Sequence, residues 1–134
     1  MAVTAFQVAE MPAVEAVRVI RIGLPLGTFD SVARVLSLSS DQLAEKLGIS
    51  PRTLRDQRKK SGRLSKENTE KLVRIARVQA LAKRILASDE AVARWLTTPA
   101  PALNGAAPLD LLDTETGARD VEAVLNGIAY GNVM

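Results

Sequence analysis

Cysteine and histidine are both absent from the 134 residues. That excludes disulfides, zinc fingers, thiol or imidazole catalysis and every metal site built on Cys or His. An enzyme here would have only carboxylates, Lys or Ser to work with. No nucleophile–base pair and no phosphate-cradling loop is visible, so the expectation is a non-enzyme without a cofactor or bound metal. Aromatic residues make up only 3% of the chain, while Ala, Leu, Val and Arg dominate; this favours helices over sheets and predicts an all-α fold. No apolar run approaches the length of a membrane span, and residues 1–25 lack the basic start, apolar centre and small-residue cleavage site of a signal peptide. The expected location is the cytoplasm. At 47% hydrophobic, the chain has enough apolar material for one core or two small ones.

The strongest local pattern is Leu43-Ala44-Glu45-Lys46-Leu47-Gly48-Ile49-Ser50-Pro51 and the cationic stretch after it. Leu43 and Leu47 share one face of a short helix, and Ala44 is small where two helices must cross. Ser39, with Gln42 three residues later, reads as that helix's capping box. Gly48 supplies the left-handed cap. Ile49 turns into the core, Ser50 caps the next helix through its hydroxyl, and Pro51 takes the first helical position, where a missing N–H costs nothing. On that second helix Leu54 is the apolar anchor. The sequence thus predicts a helix-turn-helix, one that resembles the Xre/Cro kind, with Ser50, Arg52, Thr53, Arg55, Asp56, Arg58, Lys59 and Lys60 as candidate DNA-binding residues. The first turn would lie at base edges and the later cations at phosphates. The bland alternative is a helical hairpin with a merely solvated charged face.

Charge distribution favours the DNA reading. Between Arg52 and Arg84 stand twelve Lys or Arg against Asp56, Glu67 and Glu70, a local charge of +9 that leaves −6 for the rest of a chain whose total is +3. A cationic middle suits phosphate binding through steering and counterion release. The acidic C-terminal part is free to meet another partner.

Elsewhere, Met1 to about Met11 reads as a tail. Ala13 to Ile22 reads as an amphipathic helix with a Glu15, Arg18, Arg21 stripe, with a strand as the alternative because of its β-branched content. A break at residues 23–27 precedes a short helix from Phe29 to Leu36. Ser61-Gly62-Arg63 is a stop, and Ser65 caps a long helix from Lys66 to Ala87 whose buried face is Leu72, Ile75, Val78, Leu81 or Ala82, and Ile85. Lys71, Arg74 and Arg77 beside that face are either a solvated flank or phosphate contacts. Ser88 caps a helix carrying Val92, Trp95 and Leu96, and Pro99 and Pro101 end it. A turn at Asn104-Gly105 and a short helix entered at Pro108 lead to a final helix from Thr114 to about Ala129. The expected division is 1–87, a DNA-binding domain, and 88–134, a second unit. Asp110, Asp113 and Glu115 read as solvated caps rather than a metal site. Trp95 reads as core more than as an interface anchor, and Tyr130 as partly exposed.

Trp95-Leu96, Pro99, Leu103-Asn104-Gly105, Pro108-Leu109-Asp110-Leu111-Leu112, Thr114-Glu115-x-Gly117, Val121, Leu125 and Tyr130-Gly131 closely resemble the toxin-binding domain of Xre/MbcA/ParS-like bacterial antitoxins. The Gly23-Leu24-Pro25 and Arg63-Leu64-Ser65 triplets and the helix-turn-helix fit the same family, so the resemblance covers almost everything beyond Ala13. It implies a type II antitoxin that neutralises a RES-domain, NAD-consuming toxin by obstructing its active site and represses a shared promoter; because one short helix reads few bases, a homodimer within a toxin–antitoxin hetero-oligomer is expected. The toxin-binding residues it points to are Trp95, Leu111, Leu125, Ile128, Tyr130, Gly131, Asn132, Val133 and Met134, with the segment from Tyr130 to Met134 as the occluding element. Gly127 and Ala129 depart from the family pattern, which more often has a basic and an acidic residue there. The alternative function is a stand-alone helix-turn-helix regulator whose C-terminal domain only oligomerises or senses a ligand.

Overall fold

The computed structural model describes residues 3–131. Its first helix, α1 (Ala5–Glu10), falls where the sequence reading placed a tail. A capping box closes its start: Thr4 Oγ1 accepts from the Gln7 amide at 3.1 Å, and Gln7 Oε1 accepts from the Thr4 amide at 2.8 Å. So short a helix is not stable alone. Buried Ala5 and Val8 hold it against the long helix described below. The Thr4-x-x-Gln7 spacing is the same signal as Ser39-x-x-Gln42 and is legible in the sequence.

α2 (Ala13–Ile22) is a helix, not a strand. Only Ala16, Val19 and Ile20 lean on the core, and Glu15, Arg18 and Arg21 face solvent. α3 (Leu26–Val35) starts three residues before the expected Phe29, because Pro25 forms its entry and the Leu26 amide donates to the Gly62 carbonyl at 2.9 Å. The Gly23-Leu24-Pro25 segment lies against Arg63-Leu64-Ser65. The Leu64 amide donates to the Leu24 carbonyl at 2.8 Å, Arg63 Nη1 donates to the Gly23 carbonyl at 2.8 Å, and the Leu24 amide donates to the buried Thr69 hydroxyl at 3.1 Å. Two distant triplets therefore act as one clasp.

α4 (Ser40–Lys46) and α5 (Pro51–Lys60) follow, then α6 (Lys66–Leu86), 21 residues long, which ends at a left-handed Ala87. Leu72, Ile75, Val78 and Ala82 are buried as expected, and Ile85 and Leu81 are half-buried. Thr69, Ala76 and Gln79 add a second buried stripe, because α6 is packed from more than one side. α1, α2, α3, α7 and α8 all lie against it. α7 (Asp89–Leu96) is capped by Ser88, 3-10 turns occupy Pro101–Leu103 and Pro108–Leu111, and α8 (Glu115–Ala129) is capped by Thr114. Asn104 and Gly105 both take positive φ, as the two-residue turn requires. The described residues contain no strand and form one continuous core, from Phe29 and Leu54 through Leu72 and Ile75 to Leu109 and Leu125. The fold is all-α.

Candidate nucleic-acid and partner interfaces

The helix-turn-helix forms as its residues dictate. Ser39 and Gln42 exchange cap hydrogen bonds of 3.0 and 2.8 Å at the start of α4. Gly48 turns the chain at φ +71°, and Ile49 returns to the core with its amide donating to the Ala44 carbonyl at 2.8 Å. Ser50 Oγ accepts from the Thr53 amide at 3.0 Å and Pro51 opens α5. Leu43, Ala44, Leu47 and Leu54 are fully or almost fully buried, so α5 is pinned by one face only.

Arg52, Thr53, Arg55, Asp56, Arg58, Lys59 and Lys60 are all exposed on α5, and they fall into two groups. Arg52, Arg55, Lys59 and Lys60 have no ion-pair partner among the described residues. Arg58 is clamped instead: its two terminal nitrogens donate to the two Asp30 oxygens at 2.9 Å each, and Ser40 Oγ donates to the same carboxylate at 2.6 Å. The Arg58 hydrogen bond holds the Asp30 carboxyl below its ordinary range against partial burial, with Ser40 helping. Arg58 thus ties α5 to α3 and fixes the presenting angle of the helix. Ser50 is likewise engaged, in the cap and in a 2.8 Å hydroxyl pair with Thr53. Sequence spacing revealed the exposed row but not the Asp30 clamp, which joins residues 28 positions apart.

The three α6 cations all make hydrogen bonds within the chain. Lys71 Nζ donates to the Leu47 carbonyl at 2.9 Å and so closes the end of α4. Arg74 donates to the Leu112 carbonyl at 3.1 Å and to Glu115 at 3.2 Å, while Arg77 bridges Glu115 at 2.8 Å and Glu122 at 3.2 Å. Lys46 reaches Asp110 at 2.9 Å. Part of the positive charge therefore joins α4 and α6 to the C-terminal unit. Asp110 and Glu115 are occupied by these cations, and no group of three or more carboxylates converges as a metal site among the described residues.

Burial raises the Glu115 pKa, but hydrogen bonds and attraction from Arg77 and then Arg74 outweigh it and hold the group below the ordinary carboxylate range. A depressed folded pKa gives stability that is complete above the unfolded value and is lost as pH falls through the folded one. Glu115→Gln is therefore expected to lower stability near neutrality by about 1 kcal/mol, a modest figure because Glu115 is 44% exposed and solvent screens the pair. The gap between variant and wild type should narrow as pH falls through the ordinary carboxylate range and close below the depressed pKa of Glu115. Melting curves across that range check it; a gap that persists at low pH would remove the ion pair as its cause.

In the C-terminal unit, Trp95, Leu111 and Ile128 are half-buried, packed on the core with one edge outward. Tyr130 is 83% exposed and Gly131 is exposed beside it. Leu125, expected among the partner-contacting residues, is fully buried and offers no surface; it belongs to the core between α8 and its neighbours. Asn132, Val133 and Met134 lie outside the described residues.

Residues 15–77 match the antitoxin Xre-like helix-turn-helix domain, and residues 81–131 match the antitoxin Xre/MbcA/ParS C-terminal toxin-binding domain. The antitoxin Xre of Yersinia enterocolitica is 30% identical over 113 residues, covering 84% of this chain and 76% of that protein. The antitoxin Xre of Photorhabdus laumondii is 26% identical over 83% of this chain and 76% of its own length, and that of Pseudomonas putida 30% identical over 60% and 50%. With both halves matched in order on a helix-turn-helix joined to a second helical unit, this chain belongs to the Xre/MbcA/ParS family of type II antitoxins.

Proposed function

We propose that the chain neutralises a RES-domain, NAD-consuming toxin with its C-terminal unit and binds its own promoter with α5, acting as a homodimer inside a toxin–antitoxin complex. The carrying observation is the separation of two exposed features. The unpaired cations of α5 lie in the helix-turn-helix match, and the open end of α8 with Tyr130 lies in the toxin-binding match. The helix-turn-helix serves DNA and the C-terminal unit serves the toxin, and α6 with the Arg74, Arg77 and Lys46 links joins the two. Pairing two α5 helices on a two-fold site doubles the bases read.

Obstruction of the toxin is assigned to the Tyr130–Met134 segment. Deleting it is expected to leave both chains co-eluting while NAD consumption by the purified complex rises towards that of the free toxin. A complex that stays silent would move inhibition to the outer faces of α8 or to the Trp95 region. Co-expression with the neighbouring gene and pull-down of a tagged chain tests the whole reading, and failure to retain the neighbour's product would favour a stand-alone regulator.

A further inference from the structure

A cleft of about 780 Å³ opens between α1, α6 and α7. Its apolar walls are Phe6 and Ala9 from α1, Val35 from the end of α3, and Val92 from α7. Phe6 and Val35 are 36% and 44% exposed, and they lie together on this cleft. The floor includes Gln79, 4% exposed, whose Oε1 has no hydrogen-bond partner among the described residues; buried polar groups seldom stay unsatisfied. Glu10, Arg77, Lys83, Arg84 and Asp89 are the charged residues of the lining; Lys83 is paired with Asp89 at 2.9 Å and Arg77 with Glu115 and Glu122, whereas Arg84 and Glu10 have no ion-pair partner among the described residues.

We infer that this cleft is part of the toxin interface and receives a toxin segment that carries an apolar side chain next to a carboxylate. The inference rests on the antitoxin reading and deepens it. Continuity identifies the occupant: Arg84, Asp89 and Val92 fall inside the toxin-binding match at 81–131, while Phe6 lies before the first matched residue, at 15. α1 thus completes, from outside both matched domains, a surface that the toxin-binding domain begins. The apolar walls suit a buried side chain at the centre of an interface, and Arg84 supplies the charge for an acidic neighbour at the rim. An apolar anchor surrounded by polar rim is the arrangement in which a few residues carry most of the binding.

The test uses the full-length chain and the purified product of the neighbouring toxin gene. Phe6→Asp and Arg84→Glu are each expected to weaken toxin binding by about tenfold or more, measured by calorimetry, with promoter-fragment affinity unchanged. Arg84 is exposed, so Arg84→Glu should melt near wild type, and it alone carries the test if Phe6→Asp, at a position about two thirds buried, does not fold. Wild-type toxin affinity in the folded variants overturns the inference, as does a loss of self-association without a loss of toxin binding, which would mark the cleft as a contact between copies. A wild-type chain that fails to bind the toxin at all overturns the antitoxin reading, and this inference with it.

Discussion

Gly117→Ala is expected to lower the stability of the chain by about 3 kcal/mol or more and its melting temperature by roughly 10 °C. Gly117 sits in the first turn of α8, where its amide donates to the Thr114 cap at 3.0 Å. Its φ is not positive, so the backbone alone does not demand glycine there. Space does: an added Cβ would fall on the carbonyl oxygen and carbon of Leu111, and on that residue's own Cβ. These are mostly backbone atoms of a 3-10 turn, which cannot swing aside as a side-chain tip would. Relief requires α8 to move away from Pro108–Leu111, and α8 is also held by Arg74 and Arg77 and by the buried Ala118, Val121 and Leu125. Because the core is continuous, toxin binding and cooperative unfolding of the whole chain should suffer together. Thermal melts and a toxin-binding titration check this; a variant melting within about 2 °C of wild type would mean that α8 and the turn separate at little cost. Gly105→Ala is the control: it has open space around its Cβ but a φ of +86°, and should cost only about 1 kcal/mol.

Legibility in the sequence follows the range of the forces involved. Ser39 with Gln42, Gly48, Ser50 with Pro51, Ser65, Ser88 and Thr114 all act within a few residues, and the elements they begin or end stand where the spacing puts them. The α6 face was readable for the same reason, since Leu72, Ile75 and Val78 repeat at helical spacing. α1 is not legible as an amphipathic stripe because its stability comes from α6 rather than from itself, although Thr4 and Gln7 carry the capping signal. The start of α3 is hidden because Leu26 and Gly27 look like a loop until the Gly62 carbonyl, 36 positions away, accepts the Leu26 amide.

The site divides the same way. Which residues of α5 face outward follows from one anchor, Leu54, and a period of 3.6. Which of them are free depends on Asp30, and no local pattern links Asp30 to Arg58. A count of the positive charge between Arg52 and Arg84 does not tell which cations are engaged inside the chain: Lys71, Arg74 and Arg77 are turned to Leu47, Leu112, Glu115 and Glu122. Leu125 illustrates the converse error. A residue that fits a partner-binding domain's pattern can belong to its core, because a core is what such a pattern chiefly records.

The DNA prediction then separates reading from positioning. Replacing Arg52, Arg55 and Lys59 together by Ala should abolish specific promoter binding, since each side chain that meets a base edge contributes about 1–3 kcal/mol and each phosphate contact adds to the salt dependence. Arg55→Ala alone should relax specificity at the positions it reads, whereas Lys60→Ala should mainly flatten the dependence on salt. Arg58→Ala should act by another route. Its guanidinium is committed to Asp30, so its loss should loosen α5 on α3, and Asp30→Ala should produce a similar defect although Asp30 itself is negative and gains nothing from phosphate. If Arg58 acted as a phosphate contact, the two variants would diverge: removing Asp30 would free a cation and strengthen binding, while removing Arg58 would weaken it. Anisotropy titrations of a promoter duplex at several salt concentrations decide between these outcomes. Wild-type affinity in the Arg52, Arg55, Lys59 triple variant would rule out α5 as the reading helix, and opposite signs for Asp30→Ala and Arg58→Ala would return Arg58 to the DNA surface.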